Sequence, residues 1–232
     1  MSKHLRIWLF VILGTLLATT TLLAQGVITM TTSKAVGEKI KLRVEANGNV
    51  TIEGAQETGE TDGVNRKSYR LTSQTITIRG DVTELNCMTT QLTSLNVSGC
   101  ATLTELICDG NQLTSLDVSK NIALTELRCS YNRLTSLDVS KNIALTLLDC
   151  CNNKLTSLNL SECTRLVTLY CYSNCINGKA MTKLVNSLSN RRKKKSGTIF
   201  LVDRYSERRD KNKYSAAHVA TARKKNWEVR QY

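Results

Sequence analysis

Eleven residues, LTSLDVSKNIA, occur letter for letter at Leu113–Ala123 and again at Leu134–Ala144, 21 positions later. Set at that period, the chain divides into Val82–Thr102, Leu103–Ala123, Leu124–Ala144 and Leu145–Arg165, with a fifth unit beginning at Leu166. Each unit follows LxxLxCxxNxLxxLxVSxNxA or comes close to it. A unit this short cannot enclose a core alone. It must bury its apolar side chains against its neighbours, and equivalent positions then stack in ladders. Leu106, Leu127, Leu148 and Leu169 form one ladder; Leu113, Leu134 and Leu155 form another. Full burial of one leucine is worth roughly 1.5–3 kcal/mol, so these letters cannot drift. Asn111, Asn132, Asn153 and Asn174 recur where each strand must turn. An amide there can satisfy loop backbone groups that would otherwise be buried unpaired. A weaker echo, LTSQTITIRG, starts at Leu71, 21 residues before Leu92.

Cys87, Cys108, Cys129, Cys150 and Cys171 also fall 21 apart. Such a set can be a disulfide or metal framework in an exported protein, or it can be small, buryable core filler. Neighbouring strands lie about 4.8 Å apart, whereas the Cβ atoms of a disulfide are about 3.5–4.5 Å apart. An odd-numbered ladder also cannot pair completely with itself. The spacing favours buried thiols. Cys100 and Cys163 stand in the slot of Asn121 and Asn142 and fill core in the same way.

What the repeats do not copy is as informative. LTELICDGNQ (Leu103–Gln112) and LTELRCSYNR (Leu124–Arg133) differ at the fifth, seventh, eighth and tenth positions. Side chains alternate between the faces of a strand. With Leu106 and Cys108 inward, Ile107 and Asp109 point outward, so the rewritten strand residues are the outward ones. One outward row reads Asn86, Ile107, Arg128, Asp149 and Tyr170; the next reads Met88, Asp109, Ser130, Cys151 and Tyr172, with Tyr131 beside Ser130. Tyrosine and arginine are the side chains that most often anchor interfaces. Arg128, Tyr131, Asp149, Tyr170 and Tyr172 are therefore the candidate ligand-binding residues.

The flanks read differently. KIKLRVEANGNVTIEG alternates Ile40, Leu42 and Val44, turns at Asn47-Gly48 and resumes with Val50 and Ile52, which predicts a β-hairpin. A polar stretch, Ala55–Asn65, precedes two more strands, SYRL and QTITIRG. These make residues 25–81 an N-terminal β cap ending in a degenerate half-repeat. After the five repeats of 82–178, Met181, Leu184, Val185 and Leu188 have helical spacing. A strand over Thr198–Asp203, a helix near Ser215–Lys225 and a last strand WEVRQY then read as a crossover that continues the parallel sheet. Residues 179–232 form a basic C-terminal α/β cap.

Charge is unevenly spread. The formal net charge is +13, yet Val82–Gly178 holds six basic and eight acidic residues. Arg191–Tyr232 holds fourteen basic and four acidic residues, net +10. Within it, Arg191, Arg192, Lys193, Lys194 and Lys195 could attract anionic polymers through plain charge. At the other end, Lys3, His4 and Arg6, an apolar run from Ile7 to Leu17 and Ala24 read as a cleavable signal peptide over residues 1–24. No other membrane-spanning segment is visible in the sequence.

The motif LxxLxCxxNxLTxLDVSxN, over Val82 to about Gly178, resembles the cysteine-type, 21-residue leucine-rich repeats of bacterial surface proteins, the internalin-J-like group. The flanks, GEKIKLRVEANGNVTIEGA and AAHVATARKKNWEV, are similar to exported leucine-rich-repeat proteins of the Bacteroidales. The resemblance implies a strand-dominated, right-handed α/β solenoid with a parallel concave sheet that binds a partner at the cell surface. No sorting motif is visible.

Signs of catalysis are sparse. Past the signal region the sequence contains one histidine, His218, on a predicted helix. HExxH, GxSxG, P-loop and EF-hand spacings do not occur. Cys151 occupies an outward position but has no histidine near in sequence to activate it. The expectation is an exported, non-enzymatic module without cofactor or metal, extracellular, surface-bound or periplasmic, that recognises a protein or glycan. The alternative is an envelope protein tethered through its basic cap to glycan, lipopolysaccharide or, less favourably given export, nucleic acid.

Overall fold

The computed structural model describes residues 26–203 and 210–231, so the signal segment read at residues 1–24 lies outside the described residues. Six strands come first: β1 (Val27–Thr32), β2 (Lys39–Ala46), β3 (Thr51–Glu53), β4 (Ala55–Thr61), β5 (Lys67–Leu71) and β6 (Thr75–Arg79). They are divided between two sheets. One has the order β3-β6-β1-β8, where β8 is Leu92–Asn96. In the other, β4, β5 and β2 lead antiparallel into β7 (Val82–Asn86). Ile28, Met30, Ile76 and Ile78 of the first sheet and Ile40, Leu42 and Leu71 of the second are all buried in one continuous core.

Two local expectations fail here. Ile40–Val44 and Val50–Ile52 do not form a hairpin across Asn47-Gly48, because β2 pairs on both edges with β5 and β7 while β3 pairs with β6. The turn exists, with Gly48 at φ 102°, but it carries the chain between sheets. The polar stretch after it holds β4, an edge strand whose exposed side chains gave no apolar alternation to read. The echo at Leu71 also does not stack as a further coil. Its strand β6 is separated from β8 by β1, which pairs antiparallel with both.

From β7 onward the second sheet is parallel. β9 (Glu105–Ile107), β10 (Glu126–Arg128), β11 (Leu147–Asp149) and β12 (Thr168–Tyr170) put Leu85, Leu106, Leu127, Leu148 and Leu169 in register. All five leucines are at most 1 % exposed. The sheet then continues through β13 (Gly197–Val202) and β14 (Trp227–Gln231), reached by way of helices α1 (Gly178–Ser187) and α2 (Ala216–Lys224). Gly197 permits this last pairing, since a Cβ there would lie 2.6 Å from the Trp227 ring. His218 belongs to the start of α2. Its Nδ1 accepts the Ser215 amide at 3.0 Å and its Nε2 meets Thr182 Oγ1 of α1 at 2.9 Å.

The asparagine ladder is the joint of each repeat. Asn132 Nδ2 donates to the carbonyls of Cys108, Cys129 and Ser130, and its Oδ1 accepts the Leu113 amide at 3.0 Å. Asn111, Asn153 and Asn174 repeat the pattern. The stack is closed at its far end by residues outside the repeat. Asn212 donates to the Cys171 and Leu201 carbonyls and accepts the Ile176 amide. Asp210 accepts the Ser173 amide at 2.8 Å, the bond that a following repeat carbonyl supplies to Asn152 and Tyr131.

All nine cysteines are free thiols, and the five of the ladder are fully buried. Their sulfurs point at carbonyls of the next strand, as in Cys108 to Arg128 at 3.4 Å and Cys150 to Tyr170 at 3.5 Å. Burial pushes these thiols up, Cys87 to about 12. Cys163 fills its asparagine slot with the same two carbonyl directions, Val139 and Asn142, that an amide would take.

Candidate functional site

The outward face of the parallel sheet is a grid set by strand pairing. Across one row lie Arg43, Asn86, Ile107, Arg128, Asp149, Tyr170, Phe200 and Arg230, each opposite the next. The beginning of the grid is ionic. Arg43 reaches Glu84 at 3.2 Å and Glu105 at 3.1 Å, and Arg128 pairs with Glu126. The end is aromatic. Tyr170 and Phe200 are half-buried and stacked, with centroids 4.5 Å apart and planes at 12°.

Two carboxylates flank Arg128 on this face, Asp109 on the β9 side and Asp149 on β11. Asp109 accepts the Ser130 amide at 2.6 Å and the Ser130 hydroxyl at 2.7 Å. Asp149 accepts the Cys151 amide at 3.1 Å. Burial holds both above the ordinary carboxylate range, and the same holds for Glu105, where burial is reinforced by Glu126 and Glu84.

The candidate residues separate when placed on this grid. Arg128, Asp149 and Tyr170 share the row and lie on adjacent strands. Tyr172 does not face solvent: it is 6 % exposed and hydrogen-bonded to the Cys151 thiol, itself 1 % exposed. Burial pushes that thiol up to about 12, with Asp149 adding to the effect, which leaves it un-ionised at neutral pH. Tyr172 and Cys151, expected to be exposed on the outward row, are thus covered from solvent, although neither belongs to the hydrophobic core.

Tyr131 lies off the sheet, in the turn. It is 58 % exposed and at φ 52°, one of a ladder of left-handed positions, Thr89, Gly110, Tyr131, Asn152 and Ser173, spaced 21 apart. Glycine and asparagine suit such a backbone; a large aromatic there costs roughly 1–2 kcal/mol. With Arg133, Asn152 and Ser173 it lines a shallow cleft of about 360 Å³.

The basic loop also changes meaning. Arg191 is 5 % exposed, its Nη1 donating to Leu166 and its Nε to Lys195, with its guanidinium 5.8 Å from the centre of the Trp227 ring. It is an internal tie rather than a free cation. Arg192, Lys193, Lys194 and Lys195 are exposed. Phe200 is the residue that sequence reading missed. It is visible only once TIFLV is set in register with Thr168–Tyr170, which no repeat letter announces. Among the described residues no group of three or more His, Cys, Asp or Glu side chains is arranged to hold a metal, and no helix is long and apolar enough to cross a membrane.

No family model matches the chain, and no curated protein does. Among solved structures, the functional domain of InlJ from Listeria monocytogenes, which includes a cysteine ladder, is 35% identical over 52% of this chain and 26% of its own, with a TM-score of 0.44. An internalin, InlF, also from Listeria monocytogenes, is 18% identical over 57% of this chain and 36% of its own, with a TM-score of 0.46. The chain spans about a quarter of the first and about a third of the second.

Proposed function

We propose that this protein is an exported, non-enzymatic leucine-rich-repeat binding module that recognises a protein or glycan partner on the concave, outward face of its parallel sheet. In this reading residues 25–81 and 179–232 cap the repeats of 82–178. The observation that carries it is the aromatic row: Tyr170 and Phe200 stand half-buried on the solvent side of a sheet whose other side is a closed leucine and cysteine core. Positions facing that core are copied from repeat to repeat, while the outward strand row Ile107, Arg128, Asp149 and Tyr170 is rewritten. Tyr131, held at an unfavourable backbone angle in the turn after β10, adds a third aromatic, and an exposed one. Arg128 and Asp149 supply polar contacts between them.

The test is direct. The protein is offered to a glycan array and to immobilised surface proteins, and the first ligand found is titrated against a Tyr170→Ala/Phe200→Ala double variant. A loss of at least tenfold is expected. Binding that survives in the double variant, but is lost on neutralising Arg192–Lys195, would move recognition to the basic loop and support a tether to anionic polymers instead.

A further inference from the structure

The outward grid is an acidic island in a basic protein. From β2 to β11 it presents Glu45, Glu84, Glu105, Asp109, Glu126 and Asp149 against Lys39, Lys41, Arg43 and Arg128, six carboxylates to four cations, net −2. The chain as a whole is +13. Glu84, Glu105 and Glu126 are matched by Arg43 and Arg128. Asp109 and Asp149 are held by hydroxyl and amide donors, with no cation within ion-pair distance among the described residues. They lie one row and two strands apart, on either side of Arg128, and Asp149 stands directly before the aromatic pair.

The aromatic pair narrows the partner further. Adjacent strands are about 4.8 Å apart, and the two ring centroids are 4.5 Å apart with nearly parallel planes. The rings therefore stand upright on the sheet and stack along the direction that crosses the strands. From above they offer edges. Their outer faces turn sideways, toward the Asp149 and Arg230 columns. A sugar ring binds aromatics by laying its C–H face on a ring face, and that surface is not presented upward. Aliphatic and aromatic side chains pack well against ring edges.

We propose that the face takes a polypeptide segment of cationic character, with a lysine or arginine over Asp149, one strand from Tyr170, and an apolar side chain against the edges of Tyr170 and Phe200. This rests on the binding reading above and selects protein over glycan within it. In an extended segment, side chains on one face recur every two residues, about 6.6–6.8 Å. That distance falls between one and two strand spacings, so the recognised pattern is a basic residue two positions from an apolar one. Charge complementarity of this kind governs selection among partners and encounter rate more than total affinity.

The probe is a displayed random-peptide library panned on the full-length chain at low and moderate salt, with the enriched peptides then synthesised. Enrichment of Lys/Arg-x-apolar patterns is expected, with at least tenfold weaker binding to Asp149→Asn and to Tyr170→Ala, and none lost in Lys141→Ala. The carboxylate replacement keeps the acceptor oxygen, and a thermal melt checks that each variant folds. Peptides that are acidic or uncharged yet depend on Tyr170 would overturn the cationic assignment and leave the face as the binding site. Peptides insensitive to Tyr170 and lost on neutralising Arg192–Lys195 would overturn both. A library without binders, or copies of the chain that associate through that loop on this face, would also overturn the inference.

Discussion

Asn212→Ala should weaken the fold far more than its position in an irregular segment suggests. Asn212 Nδ2 donates to the Cys171 carbonyl at 2.7 Å and the Leu201 carbonyl at 2.9 Å, and Oδ1 accepts the Ile176 amide at 2.8 Å, all at a side chain 7 % exposed. The substitution removes both donated bonds and leaves the Ile176 amide without an acceptor. An orphaned buried donor costs about 1–3 kcal/mol and each lost bond about 0.5–1.5 kcal/mol, so the sum is about 2–6 kcal/mol. For a chain of this size 1 kcal/mol moves Tm by about 2–4 °C, so a fall of about 4 °C or more is expected. Because units of a stack depend on their neighbours, the melt should also broaden as β12–β14 detach first. The control is Asn177→Ala, an exposed residue with one 3.3 Å bond to Cys175, which should stay within about 1 kcal/mol of the parent. Circular-dichroism melts of the three proteins decide it. Equal melting of the two variants would refute the view that Asn212 closes the ladder.

Three further outcomes follow from the same geometry. Leu127→Arg, which places an unpaired charge at a fully buried ladder position, should unfold the protein or melt far below Lys141→Ala, an exposed site; equal melts would mean the register is wrong. A thiol reagent should count nine free cysteines in denatured, unreduced protein and almost none in native protein apart from half-buried Cys175; oxidised ladder cysteines would contradict this. Burial raises the Asp149 carboxyl in the fold, so ionisation opposes folding above that raised value and the penalty fades as pH falls through it. Asp149→Asn should therefore be at least as stable as the parent at neutral pH, with any advantage closing on acidification; a variant less stable at neutral pH alone would reverse that sign.

The repeat stack was legible because its physics is periodic: a leucine that must meet its own copy in the next unit leaves a spacing that can be counted. The outward row Arg128, Asp149 and Tyr170 was legible for the same reason. Features that depend on one long-range contact were not. Asn212 joins the asparagine ladder from 38 residues beyond Asn174 rather than 21, so no period points to it. Phe200 completes the aromatic pair from a strand outside the repeats. Ile40–Ile52 carried a sound hairpin pattern, but local alternation cannot say that both edges of β2 are already taken by β5 and β7. Arg191 sits in a run of five cations and differs from its neighbours only in its tertiary contacts, buried over Trp227 and bonded to the Leu166 carbonyl.

The central claim is that recognition belongs to the outward sheet face, and one comparison of affinities tests it most directly. The first ligand identified is titrated calorimetrically into the parent, into Tyr170→Ala/Phe200→Ala, and into a variant with Arg192, Lys193, Lys194 and Lys195 changed to alanine. Losing the stack costs about 0.5–1.5 kcal/mol beyond the area it buries, so the double variant should remain folded. The account predicts a loss of tenfold or more in the double variant and near-parent affinity in the loop variant. The opposite pattern, with the aromatic pair dispensable and the four cations essential, would contradict it.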